Sequence, residues 1–179
     1  MNSAQLKLVE SSHDNIQTGE LDGGFIGAMP AKKVKGLEFF VWATEPLLLA
    51  LPENHELSMN RVLTWQQLKK RHWVMVSRQA APAFRLQFSV LEKTRGLSAR
   101  IIQESDRVPA ILTMVAAGNG VSMVPKSVVH LISKGVVFRK LPFPEPLLNH
   151  AFAYQPKKIA GALEAFLKVI KGAKQASGA

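Results

Sequence analysis

Residues able to hold a small molecule gather at three places, each where an apolar run gives way to a polar turn. Ser11 and Ser12 follow the alternating run 6–10, Ser77, Arg78 and Gln79 follow 73–76, and Ser105 and Asp106 follow 99–104. A serine hydroxyl can donate to a ligand carboxylate, and a guanidinium can grip one through two parallel N–H groups. At the carboxyl ends of strands in an open α/β sheet, such groups lie beside helix N-termini, whose free N–H groups also attract anions. Taken singly, each serine has a plainer job as a helix cap. Asp106 has the spacing of an N-cap, with Pro109 tolerated in the first turn after it. Binding requires that the three clusters share one cleft.

Catalytic chemistry finds little to use. There is no G-x-S-x-G elbow, no G-x-x-x-x-G-K phosphate cradle and no H-E-x-x-H pair. Gly118-Asn119-Gly120 is too short for a dinucleotide fingerprint and follows a helix pattern rather than a strand. His13, His55, His72, His130 and His150 are dispersed without ligand spacing, and the chain has no cysteine. Glu104 and Asp106 stand two apart, and capping accounts for Asp106. The reading is of no enzyme, no metal and no cofactor.

The elements that must position the polar clusters alternate between periods of two and 3.6. Strands are expected over 6–10, 21–27, 36–42 and 46–51, the last two split at 43–45. After a polar loop at 52–60 comes a short helix over 63–70. A second series follows: strand 73–76, helix 82–95, strand 99–104, a helix after Asp106, strand 121–124, a short helix from Pro125 and strand 136–141. Phe84, Phe88 and Leu91 give one helix its apolar face, and Ile111, Leu112 and Val115 give the next one its own. Strand 147–154 and a helix over 157–171 complete an α/β chain with helices on both faces of its sheets.

The composition fits a globular chain of 179 residues, with 47% apolar and 20% charged residues. The longest apolar run, 47–51, is far below the ~20 residues of a membrane helix. The first thirty residues show no signal peptide, and a chain without cysteine suits the cytoplasm. The net charge of +10 invites a nucleic-acid reading. Yet the excess spreads over 57–179, and its densest run is Lys69-Lys70-Arg71. A solvated basic face explains that distribution better than a nucleic-acid groove.

Three segments carry a further signal in order: TGELDGGF at 18–25, EPLLLALPENH at 45–55 and VAAGNGVSMVP at 115–125. Together they resemble the effector-binding domain of LysR-type transcriptional regulators over about residues 6–171. The resemblance implies two Rossmann-like lobes joined by two crossover strands, as in periplasmic solute-binding proteins. Lobe one would take 1–45 and 149–171, lobe two 46–148, and 172–179 would be a tail. It implies a small-molecule effector, a carboxylate, held between the lobes by Ser11, Ser12, Ser77, Arg78, Gln79, Ser105 and Asp106. Gly27 stands where some members place a polar contact. Pro46, Leu47, Leu148 and Asn149 would form the hinge. Family members pair as dimers or tetramers and reach DNA through a helix-turn-helix that this sequence does not contain. Lobe one is expected to be short by one strand–helix unit. A stand-alone solute-binding module of the periplasmic type is the alternative reading.

Overall fold

The structure, a computed structural model, describes residues 12–28, 30, 33–131, 134–159 and 161–177. The chain opens with helix α1 (Ser12–Thr18), strand β1 (Gly23–Ile26) and the long strand β2 (Glu38–Pro52). A one-turn helix α2 (Trp65–Leu68) leads into β3 (His72–Val76), α3 (Pro82–Arg95), β4 (Arg100–Ser105) and α4 (Val108–Ala116). Then come β5 (Ser122–Pro125), a 3₁₀ turn (Lys126–His130), β6 (Val136–Lys140) and β7 (Leu147–Tyr154). A 3₁₀ turn (Pro156–Lys158) precedes the last helix, α5 (Ala162–Ser177). Two units result. Unit 1 ends at Thr44 and resumes at Asn149, and unit 2 runs from Glu45 to Leu148.

In unit 1, β1 pairs antiparallel with β7, from Gly23 opposite Tyr154 to Ile26 opposite Ala151. Glycine is needed at position 23, because a Cβ there would run into the Phe152 ring and stand 2.9 Å from the Ala153 carbonyl oxygen. Ile16 of α1 is fully buried with Leu21, Leu37 and Ala153. A second cluster joins Phe152, Tyr154, Leu163 and Leu167, so α5 presents an i, i+4 apolar pair to β7. Phe25 meets Phe152 edge-on, with ring centroids 5.1 Å apart. Tyr154 donates its phenol to Glu38 Oε2 at 2.9 Å. Burial, and then that bond to a carboxylate, push the phenol pKa up.

In unit 2, β3 and β4 run parallel, with Val76 opposite Ser105. A bridge between Trp73 and Val121 joins the start of β3 to the approach of β5. β2 pairs antiparallel with β5 and with β6. Parallel strands are covered on both faces, which is why Trp73, Val74 and Met75 are all buried in sequence. Ile111, Leu112 and Val115 of α4 close on Val74, Ala50 and Val124 to form the core.

Several expectations are corrected. Residues 43–45 do not split two strands, since β2 runs unbroken through them. Thr44 Oγ1 donates to Asn149 Oδ1 at 2.8 Å, which anchors a polar position in the extended chain. The 63–70 helix shrinks to Trp65–Leu68, started by a capping box in which Thr64 and Gln67 satisfy each other's backbone N–H groups. Lys69 is extended and Lys70 has a φ of 59°, so the helix cannot continue. The turn after Pro125 is 3₁₀ rather than α. The last helix starts at Ala162, after a separate turn at Pro156, and continues beyond Gly172 to Ser177. The strand expected over 6–10 lies outside the described residues.

Candidate functional site

Parallel pairing of β3 with β4 carries two of the predicted polar clusters to one edge of unit 2. The ladder continues one step past the strands, where the Ser77 N–H donates to the Ser105 carbonyl at 3.0 Å. Ser77 Oγ donates to Asp106 Oδ1 in a short hydrogen bond and accepts from the Ala80 N–H at 3.0 Å. Ser105 Oγ accepts from the Arg107 N–H at 3.2 Å. Ser77, Ser105 and Asp106 therefore form one connected group. Arg78 and Gln79 follow on the exposed side of the same loop.

Asp106 is not the cap of the following helix. Arg107 occupies the N-cap position with extended backbone angles, and no side chain caps the helix there. The Asp106 carboxylate is engaged by Ser77 on the neighbouring loop, while Ser105 supports the local turn. Pro109 in the first turn costs nothing, because its missing N–H has no partner to lose. The early N–H groups of α4 sit directly beyond Asp106, and those of α3 beyond Gln79. Such N–H groups have no partner within their own helix.

Arg85 is the residue that sequence reasoning missed. It lies on α3 with its side chain 5% exposed, and its Nη1 donates to the Val76 carbonyl at 2.9 Å and to Glu104 Oε1 at 2.5 Å. Its Nε is buried without a partner among the described residues. One guanidinium thus fastens the last carbonyl of β3 to the residue before Ser105 on β4. The signal was present: position 85 falls on the same helical stripe as Phe84 and Phe88. A charge on an apolar stripe demands a partner.

The remaining predicted residues fall elsewhere. Ser11 lies outside the described residues, and Ser12 begins α1 in unit 1. Gly27 follows β1 with open space where a side chain would stand. Pro46 and Leu47 belong to β2, Leu148 and Asn149 to β7. Leu47 and Leu148 are buried, and the Leu47 N–H donates to the Pro146 carbonyl at 2.9 Å. The chain passes between units after Thr44 and after Leu148, inside strands both times. Just past the first passage, Glu45 accepts from the Ser127 N–H at 2.6 Å and from its hydroxyl at 3.0 Å. Among the described residues, no three His, Asp or Glu side chains could share a metal ion.

An α/β unit with polar groups at its strand ends is common to many families. Residues 3–175 match the family model described as the LysR substrate binding domain. The chain belongs to this LysR family. The HTH-type transcriptional regulator IlvR of Caulobacter vibrioides is 28% identical over 171 residues, which are 93% of this chain and 57% of that protein. The chain spans about half the length of the curated relatives it matches. Among solved LysR structures, the BenM effector-binding domain with its effector benzoate superposes with a TM-score of 0.79 at 18% identity. That match covers 96% of this chain and 78% of the other. The effector-binding domain of QuiR in complex with shikimate gives 0.76 at 15% identity, covering 92% and 76%. At these identities the likeness is one of fold: the two-lobed α/β fold of LysR effector-binding domains, built like periplasmic binding proteins.

Proposed function

We propose that this LysR domain senses a small organic acid without chemically changing it, and that the strand ends of unit 2 supply part of the binding surface. The observation that carries the reading is the linked group Ser77, Ser105 and Asp106 at the carboxyl ends of two adjacent parallel strands. Ligands of open α/β sheets collect at that edge. Arg78 stands in the same loop to meet a carboxylate, and the N-terminal N–H groups of α3 and α4 favour negative charge there. Benzoate and shikimate, the acids held by BenM and QuiR, are both carboxylates. Asp106 refines the choice. An acceptor-only carboxylate at the site favours an acid that also brings a hydroxyl or ammonium donor.

Ser11 or Ser12 would contribute the facing hydroxyl from lobe one, with the acid between the lobes. Pro46, Leu47, Leu148 and Asn149 would form the hinge on which binding acts. The acid shifts the lobe equilibrium only by as much as it binds one arrangement better than the other. In the whole regulator that shift would act on a separate DNA-binding part, in a cytoplasmic dimer or tetramer.

The test is a thermal-shift screen of small organic acids, arranged in pairs with and without a hydroxyl. Hits should lose about 2 kcal/mol of binding, some thirty-fold in affinity, in Ser77→Ala and Arg78→Ala. Hits that stabilise both variants as much as the parent chain would sink the site assignment.

A further inference from the structure

The other end of β3 carries a feature that the strand-end site does not use. A cavity of about 300 Å³ opens there, lined by His55, Lys70, Arg71, His72, Asn119 and Gly120 among others; none of its described lining residues is acidic, although Glu56 stands behind Arg71. The five residues of β3, at about 3.3 Å each, separate it from Ser77 by roughly 16 Å. Its size falls at the lower end of the range for small-molecule pockets.

The lining is organised by local structure. Lys70 has a φ of 59°, a left-handed backbone that turns the chain sharply from α2 into β3. Arg71 is gripped from two sides: its Nε donates to the Gln67 carbonyl at 2.8 Å, and its Nη2 meets Glu56 at 2.5 Å. Two of its three guanidinium nitrogens are therefore occupied, and it offers field rather than a bidentate grip. His55 Nδ1 accepts from the Leu57 N–H at 3.1 Å, which leaves the neutral ring with its proton on Nε2 as a donor. Burial, and then the nearby Arg71, keep the His55 pKa below its ordinary value. The Lys70 ammonium and the His72 imidazole have no side-chain partner among the described residues. Gly120 leaves bare backbone in the wall, because a Cβ there would stand 2.6 Å from the His72 carbonyl oxygen.

We propose that this cavity binds a small dianion, a phosphate or a dicarboxylate, as a second ligand site in unit 2, separate from the strand-end cluster. Lys70 supplies a point charge with three rotatable donors, and His55 and His72 supply ring N–H groups from other directions. Such a set surrounds an anion rather than clamping a plane, as a free arginine fork would. The proposal stands on unit 2 alone and does not depend on the strand-end reading.

The experiment follows thermal unfolding of the whole chain in sodium phosphate, sodium succinate and sodium chloride at matched ionic strength. Phosphate at ten times its dissociation constant should raise Tm by about 3 °C beyond chloride. Lys70→Gly removes the charge while suiting the left-handed backbone, and His72→Gln removes the imidazole. Loss of the shift in both variants, with its retention in Ser77→Ala, supports the site. A response to phosphate alone or to succinate as well sorts the ligand class, and either supports it. An equal rise in chloride, no rise in any salt, or a shift that survives Lys70→Gly and His72→Gln overturns it. A shift lost only in Ser77→Ala places the anion at the strand ends and likewise overturns this proposal.

Discussion

Arg85 holds a positive charge where little water reaches it. Glu104, with 42% of its side chain exposed, neutralises that charge from the rim. Removing one member of a fully buried pair costs about 3–5 kcal/mol, and exposure on the Glu104 side screens part of that. Glu104→Ala should therefore lower stability by about 2 kcal/mol, read from urea midpoints. Arg85→Met removes the charge together with its need for a partner, and should cost less than Glu104→Ala. The reverse order would mean that the guanidinium contributes mainly through the Val76 carbonyl. His55 sets a second expectation at this scale. Its folded pKa lies below the ordinary 6.5, so as pH falls the unfolded chain takes up this proton first. Stability is then complete above the unfolded pKa and declines as pH drops through it toward the folded value. His55→Asn keeps an oxygen to accept from the Leu57 N–H and does not titrate. It should flatten the fall in urea midpoint as pH drops below the ordinary histidine pKa of about 6.5. An unchanged slope would assign the titration to another group.

Elements were legible wherever a stop signal met a strong period. Pro82 and Gly96 bound α3 as the sequence indicates, and strand 147–154 is matched at both ends. Legibility failed where tertiary partners decide. Ala43, Thr44 and Glu45 look like a break, but strand pairing and the Thr44 bond to Asn149 keep them extended. Asp106 looks like a cap, but its carboxylate is turned toward Ser77, a partner that only the parallel β3–β4 register supplies. The same register explains why the two strand-end clusters of unit 2 could each be named from sequence while their meeting could not. Gly23 gives the element scale a sharp test. Gly23→Ala drives a methyl into the Phe152 ring and the Ala153 carbonyl, and should cost about 2 kcal/mol through overpacking. Gly27→Ala, with nothing within 4 Å of the new methyl, should stay within about 0.5 kcal/mol of the parent. Similar losses in both would show that β1 does not depend on close contact with β7.

At the scale of the molecule, three apolar clusters among the described residues each lie within one unit. Ala50, Val74, Ile111, Leu112, Val115, Val124 and Val128 belong to unit 2. The clusters around Ile16 and around Phe152 belong to unit 1. Unit 2 is one continuous stretch, so residues 45–148 expressed alone should fold, with a cooperative melt and a fixed near-ultraviolet signal from buried Trp73. Gradual melting with strong dye binding would show that its core needs unit 1. Unit 1 has no such independence, because unit 2 interrupts its chain between β1 and β7. This sets an order of assembly on the ribosome. Every strand of unit 2 is synthesised before the β7 residues that pair with Gly23 through Ile26. Until then the nascent chain carries β1 without β7, its partner among the described strands, and without the Phe152 and Phe166 rings that meet Phe25, waiting on the slow closure of a long loop. Co-translational aggregation, and any need for a chaperone, should therefore centre on β1 rather than on unit 2.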